Sequence, residues 1–99
     1  MHERQPFSPG EVLKEEFMDP LNLTQGELAE WLKVERRRIN EIIRGKREVT
    51  PDTALRLAQA FGVSPMFWLT LQTRFNLWSA QQDKPEEYTA IPPIRGAKK

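Results

Sequence analysis

Residues 25–44, QGELAEWLKVERRRINEIIR, restrict the possible folds more than any other stretch of the chain. Apolar side chains at Leu28, Leu32, Val34, Ile39 and Ile42 recur at helical spacing in two short runs, and the small Ala29 lies among them. The pattern predicts two short helices crossing so closely that only a methyl group fits between them. A helix-turn-helix has that geometry, and it delivers its second helix to the major groove of DNA.

The second half of the motif is cationic. Between positions 33 and 47 lie Lys33, Arg36, Arg37, Arg38, Arg44, Lys46 and Arg47 against Glu35 and Glu41, a local charge of +5. The whole chain of 99 residues carries only +1, so the remainder carries −4. A basic face on a mildly acidic body attracts a polyanion and orients it on one surface.

Catalytic chemistry finds little support. Without cysteine there is no disulfide framework, thiolate metal site or catalytic thiol. His2 is the only histidine, and the adjacent pairs Glu15/Glu16 and Glu86/Glu87 send their carboxylates apart on a helix. No glycine-rich phosphate loop or metal-ligand spacing occurs. The expectation is a protein that is not an enzyme and needs no cofactor or metal. The first residues, MHERQPFSPGE, do not resemble a signal peptide, and no apolar run is long enough to cross a bilayer. A soluble, cytoplasmic protein with no membrane partner is expected.

Helix starts are written clearly, because a hydroxyl residue before proline accepts orphan backbone hydrogen bonds and presets the first helical φ. Ser8-Pro9-Gly10-Glu11 forms a capping box, with Phe7 and Val12 placed as a hydrophobic staple, and predicts a helix to about Met18, stopped by Asp19-Pro20. Thr24-Gln25-Gly26-Glu27 is a second capping box, opening a helix to about Leu32. A third helix follows from about Arg36 to Arg44, ended by Gly45 as a left-handed cap. Thr50-Pro51 opens a fourth, with Ala54, Leu55, Leu57, Ala58 and Phe61 as its inward stripe before Gly62. Ser64-Pro65 opens the fifth, to about Ala80.

That fifth helix is apolar over more than one face. Trp68, Leu71, Phe75 and Trp78, at 3-4-3 spacing, predict a second surface that a homodimer would bury; the alternative is that they complete the monomer core. The chain thus divides into an N-terminal segment (1–7), an all-α helix-turn-helix domain (8–80) and a polar, proline-rich tail (81–99) that ends in a basic tip and is expected to be partly disordered alone.

Roles within the motif follow from position. Arg36 and Arg37, at the helix end entering the groove, are the leading base readers, since a guanidinium can donate two parallel hydrogen bonds to guanine. Asn40 and Glu41, one turn on, either pair with adenine and cytosine or face solvent or a neighbouring arginine. Gln25, at a helix N-terminus, and Arg38, Arg44, Lys46 and Arg47, flanking the groove, are the phosphate candidates; Lys46 and Arg47 are equally readable as ordinary surface charges. In a homodimer two such helices lie about one DNA turn apart, so double-stranded DNA with an inverted-repeat operator is the expected partner.

From Pro9 to Trp78 the chain resembles the HigA-type antitoxins of the XRE (Cro/phage-repressor-like) helix-turn-helix superfamily. The motifs that carry the resemblance are PGEVLKEEFMDPLNLTQGELA, RGKREVTPDTALRLAQAFGVSPMFWLTLQ and FNLW. It implies a compact five-helix bundle of the lambda-repressor-like type, a dimer that represses its own operon, and neutralisation of a co-encoded toxin, usually a RelE-like ribonuclease. A stand-alone XRE-family repressor is the alternative. The N-terminal segment, the first helix and its acidic Glu11, Glu15 and Glu16 face are plausible docking surfaces for a basic toxin, or else a solvated helix face. Three positions depart from the family pattern. Lys33 stands where glycine is usual in the turn, Glu35 where serine caps the recognition helix, and Arg36-Arg37-Arg38-Ile39-Asn40 where serine and threonine are common. The DNA sequence read is therefore not transferable.

Overall fold

The computed structural model describes residues 4–96, and every regular element among them is helical. Helix α1 (Pro9–Val12) starts on the expected capping box, in which Ser8 Oγ accepts from Glu11 N–H at 3.2 Å and Glu11 Oε1 accepts from Ser8 N–H at 3.0 Å. It widens into a π turn (Leu13–Met18) and closes with a 3₁₀ turn (Asp19–Leu21). The expected regular helix is replaced for a packing reason. Leu13 and Met18 are both buried but five residues apart, and the wider turn brings both onto the body. The expected staple is weak, since Phe7 is 70% exposed.

Helix α2 (Gln25–Leu32) has its reciprocal Thr24–Glu27 box, and α3 (Arg36–Ile43) follows after a turn through Lys33 and Val34. Lys33 takes the left-handed conformation (φ 61°, ψ 47°), and Val34 N–H returns to the Ala29 carbonyl at 3.0 Å. Gly45 (φ 74°) ends α3, and Gly62 (φ 74°) ends α4 (Pro51–Phe61). Helix α5 (Pro65–Asp83) runs three residues beyond the expected end at Ala80. A sixth short helix, α6 (Pro85–Thr89), lies in the proline-rich segment, where residues 81–96 are all exposed. His2 and the basic tip at 97–99 lie outside the described residues.

Leu13 and Met18, Leu28, Ala29 and Leu32 of α2, Ile39 and Ile42 of α3, Val49, Ala54 and Leu57, and Trp68 of α5 form one buried cluster. Helix α2 packs on α3 and α4, α1 on α3 and α5, and α4 on α5. A close approach is also made at Gly10: a Cβ there would overlap the Ile42 carbonyl oxygen and lie 2.8 Å from Ile43 Cα. Glycine there lets the first helix lie directly on the backbone of α3.

Two expected placements are corrected. Leu55 is 58% exposed instead of facing inward, because Ala54 and Leu57 already fill the space under α4. Trp68 does not belong to an outer dimer stripe. It is fully buried against Phe17 (centroids 5.0 Å) and Phe67 (5.1 Å), and Phe17 also meets Phe61 at 5.0 Å. Leu71, Phe75 and Trp78 further along α5 are half-buried, and Leu77 is exposed.

Candidate nucleic-acid interface

Helix α3 buries Ile39 and Ile42 and turns Arg36, Arg37 and Arg44 outward. Its first turn lacks a side-chain cap: Glu35 stands at the N-cap with extended backbone (φ −74°, ψ 143°), but its carboxylate caps nothing. Arg36 is exposed and makes no ion pair with any described residue. Arg37 is 79% exposed and donates from Nε to Glu41 Oε2 at 2.9 Å, one turn along the same helix. The Glu41 carboxylate, largely shielded, also accepts from Arg47 at 2.8 Å through Oε1. These two guanidiniums hold the Glu41 carboxyl below its ordinary range, and the same contact raises the pKa of Arg37.

The expected base-reading and phosphate residues therefore fall into different environments. Arg36, Arg37, Arg44 and Lys46 are exposed. Asn40 donates from Nδ2 to Gln25 Oε1 at 3.1 Å, so the α2 N-terminus and the middle of α3 share one amide pair. Arg38, expected at phosphate, is instead turned back on the protein, donating from Nη1 to Asp52 Oδ2 at 2.7 Å and to Thr53 Oγ1 at 3.3 Å. The reason is geometric: Arg38 and the buried Ile39 and Ile42 lie on the side of α3 that meets α4 and the core.

Three positioning groups were not singled out from the sequence. Asp52, in the first turn of α4, accepts from Arg38 and, at 3.0 Å, from Arg56 Nε; both contacts lower its pKa. Arg56 Nη1 in turn donates to the Leu32 carbonyl at the end of α2, 2.8 Å away. Ends of three helices are thus tied through one carboxylate and two guanidiniums. Gln72, buried on α5, accepts the Val49 N–H at 2.8 Å and donates to Asn76 at 3.0 Å, which pins the segment after Arg47 to the body. The Asp52–Arg56 pair is visible as an i,i+4 spacing, but Arg38 and Leu32 lie 14 and 24 residues away from their partners.

A helical body that presents a cationic second helix, with its neighbours braced behind it, defines a helix-turn-helix protein. The family model described as "Helix-turn-helix" matches residues 13–68. Virulence-associated protein I of Dichelobacter nodosus is 44% identical over 91 residues, 92% of this chain and 84% of that protein. Antitoxin HigA-1 of Vibrio cholerae is 37% identical over 91 residues, 92% of this chain and 86% of its own. The solved structure of Pseudomonas aeruginosa antitoxin HigA with the higBA promoter superposes with a TM-score of 0.86 at 33% identity, covering 90% of this chain and 98% of that one. The chain belongs to the helix-turn-helix family, in its HigA-type antitoxin branch. Among the described residues no helix is long and apolar enough to cross a membrane.

Proposed function

We propose that the chain is the antitoxin of a type II toxin–antitoxin pair. It works in the cytoplasm as a homodimer, binds an inverted-repeat operator, represses its own operon and neutralises a co-encoded RelE-like ribonuclease. The observation that carries the DNA-binding part is the outward arginine face of α3, whose helix is held from behind by the Arg38–Asp52–Arg56 brace. The HigA solved with a promoter adds support from outside this chain.

In this reading Arg36 and Arg37 contact base edges, and Asn40 is oriented by Gln25. Gln25, Arg44 and Lys46 hold phosphates, with Arg47 beside them. Arg38 drops out of the phosphate set because its guanidinium is engaged by Asp52. In this reading the protein acts by binding, through the outward face of α3.

The test joins both halves of the activity. Footprinting upstream of the chain's own reading frame is expected to protect two half-sites about 34 Å apart in inverted orientation. Co-expression with the protein encoded beside it should restore growth and yield a co-purifying complex. Protection without rescue would leave a stand-alone repressor, and no protection would remove the DNA-binding role.

A further inference from the structure

We propose that Glu41 is a positioning residue for DNA readout: its carboxylate buttresses Arg37 and Arg47, so that Arg37 meets a guanine in a preset orientation. The inference rests on the DNA-binding reading above. A carboxylate on a surface that meets phosphates is repelled by them, so its place on α3 calls for a compensating role. Its two oxygens are divided between two guanidiniums, Oε2 accepting from Arg37 Nε and Oε1 from Arg47 Nε and Nη2. Arg37 is nearly free in solvent apart from this contact, and a pair that exposed adds little to folding. What the contact does accomplish is geometric.

A free arginine side chain loses considerable rotamer freedom when it docks on a base. Holding Nε fixes the plane of the guanidinium in advance and leaves the Nη1/Nη2 end available. That end carries the two parallel donors suited to guanine O6 and N7. Arg47 lies beyond the Gly45 turn, and its attachment to the same carboxylate places a second cation beside the first. Because Val49 N–H is held by the buried Gln72, the loop carrying Arg47 is anchored on its far side as well. Glu41 is thereby removed from the set of base readers: both its oxygens are occupied, and the base is read by the arginine it holds.

The experiment uses the full chain, with duplexes enriched by the wild-type protein from a random-sequence pool. Affinities of wild type, Glu41→Ala, Glu41→Gln, Arg37→Ala and the double variant E41A/R37A are measured on the enriched duplex, its single-base variants and random duplex. Removing the negative charge should tighten binding to random duplex about two- to threefold. At the one base position where Arg37→Ala loses its preference, Glu41→Ala and Glu41→Gln should lose roughly tenfold in discrimination. The double variant should lose no more there than Arg37→Ala alone. These opposite signs separate a buttress from a bystander, since simple charge removal tightens every duplex alike. Wild-type preference at that position in either Glu41 variant overturns the proposal, as does an Arg37→Ala variant with unchanged base preference. A wild-type protein that enriches no sequence removes the DNA reading itself, and this inference falls with it.

Discussion

Lys33 and Gly10 show opposite relations between a residue and its backbone. Lys33 is an exposed, non-glycine residue in the left-handed region, where its Cβ crowds the backbone. Lys33→Gly is expected to raise the unfolding free energy by about 1 kcal/mol, read from chemical denaturation, because relief of that strain outweighs the added freedom of the unfolded chain. Gly10 has no such latitude. The atoms a methyl group would meet belong to the α3 backbone at Ile42 and Ile43, which cannot rotate aside. Gly10→Ala should destabilise by about 3 kcal/mol or more, since α1 and α3 must separate to admit it. A melting temperature unchanged by that substitution would contradict the observed packing. Both positions stand in the sequence as ordinary letters; the Lys33 conformation follows from the turn pattern, while the Gly10 contact joins residues more than thirty apart.

At the level of elements, the orientation of α3 depends on its neighbours. Asp52 connects Arg38 of α3 with Arg56 of α4, and Arg56 reaches the carbonyl end of α2. The paired guanidiniums lower the Asp52 pKa in the folded protein below its ordinary value of 3.8. A group with a depressed folded pKa contributes stability above its unfolded value and loses it as pH falls through the folded one. Asp52→Asn should therefore melt below wild type at pH 7, and the gap should close as the pH drops below 3.8. Thermal melts followed by circular dichroism across that range provide the check. Helix starts were legible because capping is local: Ser8, Thr24, Thr50 and Ser64 each cap within three residues. The π turn was hidden, since its cause is burial of Leu13 and Met18 against other elements.

At the scale of the molecule the shape is elongated. Its principal extents are 53 × 22 × 21 Å and its radius of gyration is 16.7 Å, against about 13 Å for a compact chain of this length. The C-terminal part of α5 and the segment after it account for the excess, with Leu77 exposed and Phe75 and Trp78 half-buried near one another, 6.2 Å between centroids. A second copy laid along this part of α5 would cover Leu77 and Trp78, which border one groove. Sedimentation at tens of micromolar is expected to find a dimer, and Leu77→Glu to give a folded monomer, because Leu77 is 58% exposed in the single chain. Trp68→Ala should behave differently: it opens a cavity beneath Phe17 and Phe67 and costs about 3–5 kcal/mol of folding stability rather than dimer affinity.

Periodicity, caps and turn residues determined that this chain forms short helices, where most of them begin and end, and that the third is cationic. These are consequences of interactions spanning a few residues, so the linear order suffices to express them. Which arginines point outward was decided only in three dimensions. Arg36, Arg37 and Arg38 are adjacent and chemically identical, yet the hundred-degree step between neighbours on a helix leaves one exposed with no ion pair to a described residue, one paired with Glu41 and one bound to Asp52. The same holds along α5, where Trp68 faces the core and Leu77, nine residues on and so on the opposite side of the helix, faces the surface.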